Sequence, residues 1–412
     1  RFADSGYASV DRNGQKEGMP LMRKMQLQAA FLLLISSASA FWLTGCWDAR
    51  EIDRRAFIFV MGIDLKEDGL YRVSAIAVRG RNPDSSVGTT TNDAASKAPV
   101  MIAQGRTVAE AMDALAGNSA RSIDWGNLRS IILGETLSQK GVNEIVHTAL
   151  ADPRTPADVI LFQAQGPAEA LVRSEPTGEE HLQAWLDHYR SKSSTETPAH
   201  FFVPAWQFRA QINNPGKDAY LGAIALHEGA PAPMSGGVEC APQPLLSGVA
   251  AFQSDRLRGF LNADQAVILA WMSGKAGGLV VVNDPQAPDN APLAVRIKSL
   301  RRSLAVSSGK STAPVLRIKI QATGAINGVN NMTGVREREL ASLTAAQMKK
   351  QITATALIMQ EEFAADLLGF GELARRAAPF EWRPSMWENQ WNQAVWDVTV
   401  EVSLQAQGRY QY

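Results

Sequence analysis

"WDVTVEVSL", residues 396–404, is the stretch of the sequence that says most about the fold. Its apolar side chains stand at every second position, and polar side chains stand between them. This alternation is typical of a strand that buries one face of an antiparallel sheet and leaves the other face in water. The same pattern occurs upstream in "LVVVN" (279–283), "AVRIKSL" (294–300) and "VLRIKIQ" (315–321). The four segments predict one antiparallel sheet in the last third of the chain.

Between the third and fourth of these strands lies an apolar stripe with helical spacing. Its members recur at steps of three, four or multiples of four, which place them on one side of a long helix. Gly369 is predicted to end this helix, because glycine adopts the left-handed conformation that often follows one. The stretch therefore predicts an α+β domain with the helix on one face of the sheet. The stripe consists of Leu340, Met348, Ile352, Ala356, Met359, Phe363 and Leu367.

The rest of the chain predicts two further mixed domains. Residues 57–64 and 70–78 flank an Asp-Gly turn and predict a hairpin, and strands then alternate with helices as far as residue 165. A second predicted hairpin, 246–261, leads into a helix with Asn262 as its N-cap. The fold class is therefore α+β, with three mixed α/β domains. The predicted domains are 46–198, 199–275 and 276–412.

The charge balance restricts the classes of partner. The 412 residues include 41 basic and 41 acidic ones, so the formal net charge is zero. A nucleic-acid-binding domain usually presents a basic face, so we expect no nucleic-acid partner. Cysteine occurs twice, as Cys46 and Cys240.

Residues 1–45 are predicted to be a leader that contains a signal peptide. Arg23 and Lys24 precede an apolar run at 29–43, and small residues follow. A basic start, an apolar middle and a small-residue end are typical of a secretory signal. The run is shorter than the roughly 20 residues of a membrane-spanning helix. A buried core helix is the alternative interpretation, which the serines inside the run disfavour.

The run ends in a four-residue motif, Leu43-Thr44-Gly45-Cys46, that resembles the lipobox of bacterial lipoproteins. The resemblance implies that Cys46 carries a diacylglyceryl thioether and becomes the mature N-terminus. Two acyl chains anchor a protein to a bilayer stably, whereas one chain holds it only marginally. The body of the protein is therefore expected to be tethered to a membrane.

Four residues directly after this cysteine are candidate contacts with a partner or with the membrane surface. Tryptophan is enriched at the headgroup level of bilayers, so Trp47 is a candidate for that zone. The four residues are Trp47, Asp48, Arg50 and Glu51.

We predict no metal, no cofactor and no catalytic residue. His181 and His188 lie two helical turns apart, too far for one ion, so a solvated helix is favoured over a metal site. "GFGE" (369–372) lacks the lysine and the preceding strand of a phosphate loop, and the end of a helix is favoured instead. Cys240 lies in a proline-rich stretch without a nearby histidine.

Two other clusters have competing interpretations. The carboxylates Asp48, Glu51, Asp53 and Asp64 are expected to be solvated in a charged segment, whereas an acid–base pair needs one carboxyl in an apolar pocket. The tryptophans of "EWRPSMWENQW" (381–391) either form a partner surface or pack inward on the sheet. Inward packing is favoured.

Several segments, taken in order, resemble the Ger(x)C family, the lipoprotein C subunits of spore nutrient germinant receptors. "LTGCWDAREI" followed by "MGIDLKEDGLYRV" is similar to the start of that family. "LSGVAAFQSDRLRGFLNADQAVILAWM" is similar to the opening of its C-terminal region, and "MWENQWNQAVWDVTVEVSLQAQG" to its end. The resemblance runs from about residue 40 to the C-terminus, interrupted by an extended loop at 79–100.

The resemblance implies a non-enzymatic lipoprotein on the outer face of the spore's inner membrane. It implies an A subunit and a permease-like B subunit as partners, the bilayer as the site of the acylated Cys46, and a role in spore germination through protein contacts. The alternative is a solute-binding lipoprotein that delivers a small ligand to a membrane transporter. That class would need two similar lobes around a cleft.

Overall fold

The computed structural model describes residues 25–26, 29–34, 36–37, 54–78, 99–179, 181–192, 198–227, 242–284, 286, 291–309, 312–326 and 334–406. The chain divides into two units, Arg1–Ile52 and Asp53–Tyr412. The described residues of the first unit are helical and exposed. No helix among the described residues combines the length and the apolar content that crossing a bilayer requires.

Ten strands in the described part of the second unit form one large sheet. Its main order is β10-β9-β8-β6-β5-β1-β2-β3, with β4 paired to β1 and β7 paired to β6. The strands are β1 (Arg55–Leu65), β2 (Tyr71–Val78), β3 (Val100–Gly105), β4 (Ser122–Asp124), β5 (Ser130–Leu133), β6 (Ile160–Ala164), β7 (Val203–Pro204), β8 (Tyr220–His227), β9 (Gln243–Gln253) and β10 (Arg256–Asn262).

The centre of this sheet is parallel: β1 pairs with β5, β5 with β6, and β6 with β8. Strands of a parallel sheet are covered on both faces, so their sequences are continuous apolar runs. In β5, Ile131 and Ile132 are both buried but belong to different hydrophobic clusters, one on each face. The helices of this region are α1 (Val108–Gly117), α2 (Glu135–Lys140), α3 (Asn143–Ala151), α4 (Ala168–Val172), α5 (Leu182–Ser191), α6 (Ala205–Ile212) and α7 (Ala263–Met272).

Both predicted hairpins are confirmed, as β1–β2 and β9–β10. Asn262 caps α7, accepting the backbone N–H of Gln265, while the Gln265 side chain accepts the N–H of Asn262. This reciprocal pair satisfies two backbone donors that a helix start leaves free. Helices α2 and α3 are separated at Gly141, whose φ of 126° no helix accommodates.

Four strands in the described residues form a second sheet in the order β11-β12-β13-β14. The first two pairings are antiparallel, as predicted, but β13 and β14 are parallel, so the expectation of a purely antiparallel sheet is wrong at its last strand. The chain between β13 and β14 crosses the sheet through helices, and such a crossover returns the next strand in the same direction. The elements are β11 (Leu279–Asn283), β12 (Pro292–Gly309), β13 (Thr312–Ile326), α8 (Gly334–Leu357), α9 (Phe370–Ala377), α10 (Pro384–Gln393) and β14 (Val395–Ala406).

The long helix α8 packs on this sheet. Every residue of the predicted stripe is buried, although Met359, Phe363 and Leu367 lie beyond the end of α8. The prediction that Gly369 ends the helix is wrong. The helix changes at Leu357 into one π turn, Ile358–Glu362, and Ala364 then breaks it with a φ of 51°. Gly369 instead lies at the start of α9, where its φ of 81° turns the chain into that helix.

One hydrophobic cluster extends from the large sheet into the second sheet and α8. Strands β8 to β10, from the predicted middle domain, pair within the same sheet as β1 from the predicted N-terminal domain. The division into three domains stays a prediction.

Candidate functional site at the seam between the sheets

The predicted anchor lies outside the described residues. So do the lipobox and the four candidate contacts that follow it. These positions are Leu43, Thr44, Gly45, Cys46, Trp47, Asp48, Arg50 and Glu51.

Asp64 is buried rather than solvated, so the expectation for this carboxylate is wrong. It lies one residue before the end of the central strand β1, is 7% exposed, and accepts the backbone N–H groups of Ala168 and Glu169 at 2.7 and 2.8 Å. Burial is the largest influence on its pKa, which lies above the usual value. The carboxylate caps α4, so its position is explained by the fold. A crevice of about 770 Å³ opens beside it, lined also by Glu135 and Glu169.

The two candidate histidines lie at the start and near the end of one helix, α5. His181 is the N-cap of α5, where its Nδ1 accepts the N–H of Ala184 at 3.1 Å. His188 lies on the same helix with Nδ1 4.0 Å from a carboxylate oxygen of Glu179. The described residues contain no group of three side chains of the metal-binding types placed to share one ion.

The tryptophans of the 381–391 segment pack inward, which confirms the favoured interpretation. Trp382, Trp387 and Trp391 are 7%, 4% and 2% exposed. Trp391 meets Trp396 of β14 edge to face at 5.7 Å. These rings therefore join α10 to the second sheet.

A pair of aspartates connects the large sheet to the second sheet and its helices. Asp218, just before β8, donates its backbone N–H to the carbonyl of Asp366 at 2.9 Å. The N–H of Asp366 returns to Oδ2 of Asp218 at 2.8 Å, and Oδ1 of Asp218 accepts the N–H of Ser254 at 3.0 Å. The N–H of Glu372 bonds the carbonyl of Gly216 at 2.8 Å. We call this set the seam.

The carboxylate of Asp366 organises the start of α9. Its Oδ1 accepts the N–H groups of Gly369 and Phe370 at 2.8 and 3.0 Å, and its Oδ2 accepts that of Gly371 at 2.7 Å. A helix start is a favourable place for a carboxylate because its N–H groups are unpaired and its dipole is positive. Burial nevertheless dominates and raises the pKa of Asp366 to about 7. Burial also raises the pKa of Asp218.

A pocket of about 530 Å³ lies over the seam. Ser254 and Ala364 line it, and they are the two described non-glycine residues with positive φ, 55° and 51°. Strained backbone of this kind persists where surrounding structure enforces it, often at functional sites. The remaining polar lining is rich in side-chain amides: Asn213, Asn214, Gln253, Asn389 and Asn392. Such a lining can bind a polar group or a partner's loop.

Sequence reasoning missed the seam because its members are distant in the chain. Asp218 and Asp366 are 148 positions apart, and no local pattern links them. One local signal was available. Asp366 lies three residues before Gly369, and Glu372 lies three residues after that glycine. This spacing is as typical of the start of a helix as of its end.

The chain matches two family models, one on each side of residues 227–246. Residues 48–226 match the spore germination protein N-terminal domain, and residues 247–408 match the spore germination B3/GerAC-like C-terminal domain. The chain belongs to the Ger(x)C family. Asp218 lies in the N-terminal match and Asp366 in the C-terminal one, so in this Ger(x)C protein the seam bonds one family region to the other.

Curated relatives agree with this assignment. YfkR of Bacillus subtilis (strain 168) is 23% identical over 87% of this chain and 91% of its own length. Spore germination protein B3 from the same organism is 21% identical over 82% of this chain and 87% of its own. The crystal structure of the GerBC protein has a TM-score of 0.53 at 15% identity, covering 84% of this chain and 96% of that one. The likeness to GerBC confirms the mixed α/β fold.

Proposed function

We propose that this Ger(x)C protein is a lipid-anchored subunit of a spore nutrient germinant receptor. Acyl chains on Cys46 hold it at the outer face of the inner spore membrane. There it acts by protein contacts with an A subunit and a permease-like B subunit, and it catalyses no reaction.

The observation that carries this proposal is the position of the LTGC motif relative to the family match. The match begins at residue 48, two residues after Cys46. Cleavage before Cys46 would therefore release a chain that begins where the family domain begins. A tether at that point confines the folded body to a thin layer at the membrane, which raises its effective concentration for a membrane partner.

The solute-binding alternative is less well supported. That class needs two similar lobes that close around a ligand. The described residues form a ten-stranded sheet and a four-stranded sheet, which are unequal in size and topology. The matched relatives B3 and KC of Bacillus subtilis (strain 168) are named as spore germination proteins.

Mass spectrometry of the mature N-terminus from spores tests the anchor. We expect a terminal peptide that starts at Cys46 and carries a diacylglyceryl group. Cys240, the other cysteine of the chain, provides the internal control and should carry no lipid. A mature chain that retains residues upstream of Cys46, or an unmodified Cys46, would contradict the proposal.

A further inference from the structure

Phe380 projects into solvent from the turn between α9 and α10. Its side chain is 90% exposed, more than any other large apolar side chain in the described residues. Single exposed apolar residues are common on protein surfaces. Phe380 differs because the backbone that carries it is fixed.

Backbone bonds close the turn tightly. The carbonyl of Ala378 accepts the N–H groups of Glu381 and Trp382 at 3.2 and 3.0 Å. Trp382 is 7% exposed, so its ring anchors the end of the turn in the core. Pro379 precedes Phe380 and restricts the backbone further.

The side chain of Arg383 adds a second brace. Its Nη1 donates to the carbonyl of Phe380 at 3.0 Å and to that of Trp382 at 2.7 Å. Pro384 follows and begins α10 with its fixed φ. The turn thus fixes the backbone that carries the phenyl ring, and a backbone ordered in advance loses little entropy on binding.

The charges around the ring favour a protein over a lipid surface. Anionic membranes attract clusters of lysine and arginine. Three arginines and three glutamates occupy residues 370–393, so this segment has no net charge and gains nothing from an anionic surface. A protein pocket with an apolar floor and both acidic and basic side chains around its edge would complement this segment. The charged residues are Glu372, Arg375, Arg376, Glu381, Arg383 and Glu388.

We propose that the turn 378–383 is a docking knob, whose phenyl ring inserts into an apolar socket on a membrane-embedded protein of the same receptor. This inference rests on the proposed function and names the surface that makes the contact. Buried aromatic side chains at the centre of an interface carry a large share of binding energy, so Phe380 would be the anchor of the contact.

Site-specific photocrosslinking in spores tests the knob. The photoreactive residue p-benzoylphenylalanine replaces Phe380 in the full chain, or replaces Val335 as the control. Val335 is 68% exposed and lies in the first turn of α8. We expect an adduct between position 380 and a membrane-embedded receptor subunit, and no such adduct from position 335. An adduct only with lipid, an adduct only with a second copy of this chain, or no adduct would each overturn the inference.

A pair of alanine variants measures the contribution of the ring. Phe380→Ala should lower co-purification of the membrane subunit by about tenfold or more. It should not change the melting temperature, because an exposed ring makes little contribution to the core. Val335→Ala should leave co-purification within about twofold. Equal recovery with Phe380→Ala and with the unaltered chain would overturn the inference.

The N-terminal peptide measured in the same spores separates the two proposals. A lipidated chain without the crosslink refutes the knob alone. An unlipidated chain that still forms the crosslink refutes the anchor alone and supports the knob.

Discussion

At the residue scale, the most informative side chain is Asp366. It is 3% exposed and accepts three backbone N–H groups, yet its ionised form is costly at this depth. The N–H groups favour the charged form, burial opposes it, and burial has the larger influence on the pKa. Asp218 lies against it in the seam, and its charge further raises the pKa of Asp366.

The stability of the fold should therefore respond to the ionisation of Asp366. Its pKa rises from 3.8 to about 7 on folding, so the folded state holds this proton more tightly than the unfolded state. The resulting stabilisation is complete below the unfolded value and is lost as pH rises through about 7. We compare the free energy of unfolding of the unaltered chain with that of Asp366→Asn. We expect the difference, unaltered minus variant, to decrease as the pH is raised from 4 to 8. Urea denaturation at a series of pH values measures it, and a difference that rises with pH would refute this prediction.

At the scale of secondary structure, α9 and α10 meet through a glycine. A Cβ added at Gly371 would lie 2.5 Å from Nε1 and 2.7 Å from Cδ1 of Trp387. Trp387 is buried, so neither helix can yield without moving the tryptophan cluster. This close contact fixes the relative position of α9 and α10, the two helices that flank the Phe380 turn.

Gly371→Ala should therefore destabilise the protein by overpacking, at a cost of about 1–3 kcal/mol. Gly117 provides the matched control, because it is also helical and a Cβ there would meet no atom within 4 Å. Gly117→Ala should be neutral or stabilise by up to about 1 kcal/mol. Urea midpoints compare the two, and equal midpoints would contradict the proposed packing.

Local patterns predicted the elements better than they predicted their partners. The stripe of α8 and the hairpins could be predicted because each depends on neighbouring residues. The parallel pairing of β14 could not, since alternation shows that a strand has one buried face and not which strand lies beside it. Asp64 is a second example: the carboxylates before it, Asp48, Glu51 and Asp53, suggested solvent, while its burial follows from the central position of β1.

At the scale of the whole molecule, the described part of the second unit is held together by one shared core and by the seam. In the proposed arrangement, the anchor lies at the start of the mature chain and the Phe380 knob in its last quarter. The anchor would supply proximity to the membrane, and the knob would supply recognition of a partner. The two contributions can be removed separately.

Replacing Cys46 tests the proposed membrane-anchored role most directly. Cys46→Ala removes the proposed acylation site and changes no residue in a described strand or helix. We expect a folded chain released from the membrane and spores that germinate poorly in response to nutrient. Cys240→Ala, which leaves the anchor intact, should germinate like the unaltered strain. Unaltered nutrient germination from spores shown to contain only the unlipidated chain would contradict the membrane-anchored role.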